Sequence, residues 1–254
     1  MTTEVEGGSL LHEAQRFANE LTHTVQSVIS APCDPFHAIA VKGTQELFSV
    51  RQQPSTGIAL TVEGTPLLSL VVSYRCSRDT AGQYLAVESS EFKVYAGSRA
   101  SGEPLFRYDY VHDTFPGVPC AHIQVHAHRD ALAYVMTRAG ERTIRGKRRA
   151  RSLASGDEVP RMSELHLPVG GTRFRPCLED VLEVLVQELG VDHRDDWVQV
   201  LGDGRERWRR TQLRTVVRDD PREAADMLRT LGFEVTWSRD EDLPAARADR
   251  LRQL

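Results

Sequence analysis

Residues 104–128 read PLFRYDYVHDTFPGVPCAHIQVHAH. Two segments of alternating polar and apolar residues, Pro104–Val111 and Ala121–His128, flank a short stretch rich in Pro, Gly and Asp, which predicts two neighbouring antiparallel strands. Such a connection is too short for the dozen or more residues of a helical crossover. The same texture extends towards the N-terminus over 46–51, 57–62, 66–75 and 83–94, broken by Gly, Pro, Ser and Asp turns. A further strand is expected from Ser163 to the glycine pair Gly170-Gly171, and Arg129–Met136 is expected to prolong the histidine strand. The sum is an antiparallel meander sheet of about six or seven strands.

Helical periodicity brackets this sheet. Leu10, Leu11, Ala14, Phe17, Ala18, Leu21, Val25, Val28 and Ile29 recur at helical spacing behind Ser9, a natural N-cap. Beyond the sheet, Leu178, Val181, Leu182, Leu185, Val186 and Leu189 form an apolar stripe that Gly190 is placed to end. Helical stretches are expected around Trp197–Leu201 and over about 204–218, and Asp220-Pro221-Arg222-Glu223 is a capping-box start for one more. Phe233–Trp237 alternates like a closing strand. The fold class is therefore α+β. Residues 1–172 hold an N-terminal helix and the sheet, and 173–254 form a mainly helical C-terminal subdomain.

With 254 residues and 40% hydrophobic composition, the chain can bury a substantial core. No stretch has the roughly 18 apolar residues of a membrane helix, and the N-terminus lacks a signal-peptide pattern, so no membrane partner and a cytoplasmic location are expected. Cys33, Cys76, Cys120 and Cys177 are scattered without a C-x-x-C pair, which excludes a zinc ribbon and a thioredoxin motif. The net charge of −4 gives no general affinity for nucleic acid. Basic residues are nevertheless concentrated. Arg138–Arg151 holds seven against one acid, and it predicts a solvated loop over about 138–160 or an arm that gathers phosphate. Arg205–Arg214 is also basic, with Trp208 read as a packing anchor.

In an extended strand His122, Gln124, His126 and His128 share one face and Ile123, Val125 and Ala127 the other, so a wet row of imidazoles backed by a core is expected. On the neighbouring strand Arg107, Asp109 and Val111 share a face. Cα atoms of His126 and His128 lie about 7 Å apart, and His122 is about 13 Å from His126, which leaves the first two as the pair able to share a ligand. Three readings follow. Zinc could be held by His126, His128 and His166, with Asp109 or Glu164 completing the site. Alternatively no cofactor is needed: His126 and His128 act as acid and base, Asp109 orients an imidazole, His166 enters from the next strand, and Arg107, Arg173 and Arg175, with His122, hold phosphate. In the third reading the imidazoles are structural.

The order Arg107-Tyr108-Asp109, a nearby histidine, a proline-containing loop, the strand carrying His122 to His128, and the Pro176–Leu182 helix start resembles the TumE-like toxin family of bacterial toxin–antitoxin modules. The resemblance covers roughly residues 45–190, with Arg107, Asp109, His122, His126 and His128 as motif positions. It implies a bacterial, cytoplasmic, toxin-like protein acting on RNA or on translation. Family members are generally shorter. The N-terminal helix, the basic insertion before His166 and the C-terminal helical segment depart from the pattern. The expected function is an RNA-directed protein, a metal-free ribonuclease. A non-catalytic binding module, antitoxin-like and paired with a cognate protein, is the alternative.

Overall fold

A computed structural model describes residues 9–41, 46–79, 82, 84–114, 118–127, 144–156, 159, 161–164 and 167–252. Helix α1 spans Leu10–Val28, and the Ser9 hydroxyl accepts from the His12 N–H at 3.3 Å. Its buried positions Leu10, Ala14, Ala18, Leu21, Val25 and Val28 form one stripe. Burying each large aliphatic side chain of that stripe contributes about 1.5–3 kcal/mol, which holds the helix to the sheet.

The strands are β1 (Phe36–Val41), β2 (Leu47–Gln52), β3 (Ile58–Val62), β4 (Thr65–Arg78), β5 (Leu85–Ala96), β6 (Phe106–Val111), β7 (Ala121–Val125) and β8 (Leu167–Pro168). They form one antiparallel sheet in the order β1-β2-β4-β5-β6-β7-β8. The 14-residue β4 is long enough for β3 to pair with its first half and β2 with its second. The expected α+β class with a meander sheet is therefore present. β1 was not anticipated: Phe36-His-Ala-Ile-Ala-Val41 sits in a stretch whose prolines masked its extended character.

Helix α2 covers Ile144–Ser155, α3 Gly171–Phe174, α4 Leu178–Leu189, α5 Trp197–Asp219, α6 Pro221–Thr230 and α7 Ala248–Leu251. Several expectations are corrected. The basic segment expected as a loop contains α2, because Arg and Lys are good helix formers whatever their charge. Among the described residues of the strand expected after Ser163, Leu167 and Pro168 pair with β7, and Met162–Glu164 form a 3-10 turn instead. The two stretches around Trp197 and 204–218 are one continuous helix. Gly204 interrupts nothing, since its bare Cα is buried against Glu179. Phe233–Trp237 is not a strand; Phe233 is 61% exposed, so nothing draws it into a sheet. The caps at Gly190 and Asp220 form as expected, with Gly190 left-handed and the Asp220 carboxylate accepting from the Glu223 N–H.

One face of the sheet carries the core. Val50, Leu70, Val72, Tyr74, Phe92 and Val94 pack there against α1 and against Val181, Leu182 and Leu185 of α4, with Leu201 of α5 beside them. Distant chain segments close this core at one end. Asp192 takes the Glu63 and Gly64 N–H groups on its two carboxylate oxygens at 3.0 and 2.8 Å, and Ile29 bridges His193.

Candidate functional site

Register decides which polar groups meet. β6 and β7 pair Asp109 with His122 and Arg107 with Gln124, while β5 sets Glu91 opposite Asp109 and Lys93 opposite Arg107. All of these stand on the face away from the core. The pairing runs one step past β7, the His126 N–H donating to the Leu105 carbonyl at 2.8 Å. Strand alternation thus carries His126 to the same side as His122 and Gln124.

The face expected to be wet is covered at its inner end. His122 and Gln124 are 4% and 5% exposed, because the 3-10 turn lies over them and the Ser163 carbonyl accepts from Gln124 Nε2 at 2.7 Å. His122 presents Nδ1 to the Pro119 carbonyl at 3.0 Å and Nε2 to Asp109 Oδ2 at 3.5 Å. Both ring nitrogens face acceptors, so His122 positions Asp109 and has no nitrogen left for a substrate.

Asp109 itself was expected to orient His126 or His128; it meets His122 and Arg107 instead, because the register sets it opposite His122, two same-face steps away from His126. Arg107 Nε contacts Gln124 Oε1 at 2.6 Å and Asp109 Oδ2 at 2.8 Å. Its terminal nitrogens make no hydrogen bond among the described residues, and the side chain is 31% exposed. Asp109 Oδ1 is buried without a hydrogen-bond partner among the described residues.

The carboxylate that does hold His126 is Glu103, whose Oε1 lies 2.7 Å from Nδ1. His126 Nε2 is buried and has no hydrogen-bond partner among the described residues. Sequence reasoning missed Glu103, which precedes its strand; once Leu105 is set against His126, residue 103 necessarily falls beside the end of β7. An orphaned buried nitrogen costs about 1–3 kcal/mol, and a hydrogen-bonding ligand recovers that cost. A carboxylate on Nδ1 with Nε2 open is the arrangement of an oriented general base.

His128 and His166 lie outside the described residues, as does the expected strand extension over Arg129–Met136. Of the three histidines of the zinc set only His126 is described, and no group of three potential ligands is found among the described residues.

Arg173 and Arg175 do not join this face. Tyr110 neighbours Asp109 in β6 and so points to the opposite side of the sheet, where the Arg175 guanidinium lies 3.7 Å from its ring centroid and 5.8 Å from that of Trp208. Arg175 is 8% exposed and donates to the Thr172 carbonyl, and burial lowers its pKa. Arg173 makes a two-pronged pair with Asp219, Nε to Oδ2 at 2.6 Å and Nη2 to Oδ1 at 3.0 Å. Both arginines tie α3 to its neighbours and are already occupied. Trp208, read as a packing anchor, is half-buried beside Arg175 and is not among the residues of the core clusters. A separate cleft of about 510 Å³ is lined by Val186, Gly190, Asp192 and His193 among others, and it shares no residue with the histidine face.

No family model, no curated protein and no solved structure matches this chain.

Proposed function

We propose that the chain is an RNA-directed, toxin-like bacterial protein that cleaves phosphodiester bonds without a metal. The observation that carries this reading is the Glu103–His126 pair with its buried Nε2, unpartnered among the described residues, one paired step from an arginine whose terminal nitrogens make no hydrogen bond among those residues. His126 Nε2 takes the proton of a ribose 2′-hydroxyl as that oxygen attacks phosphorus. Arg107 holds the phosphate oxygens, whose charge grows in the transition state. The departing 5′-oxygen leaves with a proton, which the sequence assigns to His128, and a 2′,3′-cyclic phosphate remains.

General acid–base catalysis contributes about 100- to 10,000-fold, so His126→Ala is expected to lower kcat on RNA by that factor. Glu103→Gln is expected to lower kcat with KM unchanged. Equal cleavage by wild type and His126→Ala removes the assignment. Zinc held by His126, His128 and His166 is the alternative chemistry, decided by elemental analysis of untagged protein.

A second reading is supported by the C-terminal helices. α6 is amphipathic and has no buried residue; Met227, Leu228 and Leu231 are exposed there, as are Leu213 and Val217 on α5. Such surfaces mark partner binding in a non-catalytic, antitoxin-like module. A stable complex with a cognate protein, together with no nuclease activity, favours it.

A further inference from the structure

We propose that the open face of the sheet is a binding track for one strand of RNA, running across the strands from β2 to His126. This rests on the cleavage reading above and names the form of its substrate. On β2, β4 and β5 the side chains opposite the core are Ser49 and Arg51, then Ser69, Val71, Ser73 and Arg75, then Ser89, Glu91, Lys93 and Tyr95; Ser69, paired with Tyr95, is buried and the others are not. Their sequence alternates mean buried neighbours on the other side, so this face is the sheet's solvent face.

Its charge is not that of an ordinary solvated face. Arg51 stands opposite Ser73 and Arg75 opposite Ser49, making the two arginines diagonal neighbours with Cα atoms about 7–8 Å apart. Neither makes an ion pair among the described residues. Lys93 and Arg107 stand directly opposite one another. Like charges in that relation are destabilising, and Glu91 and Asp109 offset the repulsion by pairing with one cation each, at 2.9 and 2.8 Å. Among the described residues the uncompensated positive charge of the face is therefore that of Arg51 and Arg75, and anions laid across the face offset it.

Tyr95 follows Lys93 on the same face of β5 and is part-exposed, a platform on which a base can stack whatever its identity. From β2 to β7 the track crosses four strand intervals, about 19 Å at about 4.8 Å each. That is the length of about six stacked nucleotides at about 3.4 Å apiece, within the range of single-strand sites. A flat sheet face with phosphate-binding side chains spaced across it suits a flexible single strand better than a rigid duplex, whose bases are turned inward.

The test measures binding of oligouridylate, and of a duplex RNA of equal length, to His126→Ala protein as salt is varied, so that no cleavage intervenes. Each phosphate contact contributes about 0.7 to the slope of log affinity against log salt for single strands. Replacing Arg51 and Arg75 together by Gln is expected to reduce that slope by about 1.4, and Tyr95→Ala to weaken binding about 5-fold or more at constant slope. Circular dichroism checks that the double variant is folded, and Arg75→Gln alone, at an exposed position, is expected to reduce the slope by about 0.7. An unchanged slope in these variants overturns the track, and so does duplex binding as tight as single-strand binding. If wild type and His126→Ala prove equally inert on RNA while the slopes change as expected, the track stands and the cleavage reading falls.

Discussion

Replacing Asp219 by Asn should destabilise the fold strongly while leaving the candidate site untouched. Asp219 is 1% exposed, and it holds Arg173, whose side chain is 17% exposed, through two charge-assisted hydrogen bonds at 2.6 and 3.0 Å. Each such bond is worth about 1.5–3 kcal/mol, and removing one member of a buried pair typically costs about 3–5 kcal/mol because the other charge is stranded. The entropy of unfolding for 254 residues is about 0.53 kcal/mol per kelvin at about 2.1 cal/mol per kelvin per residue, so the melting temperature should fall by about 6–9 °C. Differential scanning calorimetry measures this. A double variant, Arg173→Met with Asp219→Leu, removes both charges and should melt well above Asp219→Asn, since an apolar replacement strands nothing. A loss under about 1 kcal/mol, or single-variant losses that simply add in the double variant, would refute the stranded-charge account. The double variant also separates Arg173 from RNA: if the Arg173 guanidinium is occupied by Asp219, Arg173→Met with Asp219→Leu placed in His126→Ala protein binds oligouridylate as His126→Ala protein does.

Three further expectations follow from local geometry. Gly170 has φ of +69°, and a Cβ there would fall on the Phe174 backbone carbonyl; Gly170→Ala should cost about 2 kcal/mol or more in urea unfolding, and a loss below about 0.5 kcal/mol would contradict it. Burial pushes the Cys33 and Cys76 thiols from the ordinary 9.0 up to about 11 and about 12. At pH 8 the Cys33 thiolate is then about 100-fold scarcer in the folded than in the unfolded chain, so iodoacetamide labelling should be slower by about that factor without urea, and stability should decline as pH rises above about 9. Burial, with Arg250 nearby, lowers the His112 pKa below its usual 6.5, so its stabilising effect is present above that pH and is lost as pH falls below it. Its ring resonances should titrate in NMR with a midpoint below 6.5, and a midpoint above 6.5 would count against the burial.

The sheet was legible because period-2 alternation in 104–128 and its upstream counterparts is strong and the connections are short. Helix boundaries followed from Ser9, Gly190 and Asp220, whose chemistry is local. What escaped depended on register and on the far side of the sheet. Alternation places His122 and Asp109 each on a face, but only pairing brings them together and sets Glu103 beside His126. Arg173 and Arg175 follow the glycine pair that ends the strand expected to come after the histidine strand. They pass to the opposite face because Thr172 and Arg175 close on Cys120 and Tyr110, contacts that no spacing rule announces. Gly202 and Gly204 read as breaks in a helix, yet the packing of Gly204 on Glu179 keeps α5 whole.

The Asp192 carboxylate that caps the Glu63–Gly64 turn sets an order of assembly. Its two hydrogen-bond partners are 129 and 128 residues earlier in the chain, and the adjoining bridge joins Ile29 to His193. During synthesis α1 and the first four strands leave the ribosome long before α4 and Asp192 exist to cover them, and their apolar face stays open for that interval. Folding of the domain therefore waits on its C-terminal third, with the slow, non-local closure typical of high contact order. A nascent chain halted before residue 192 should remain sensitive to protease, with the β3–β4 turn as one of the first places cut.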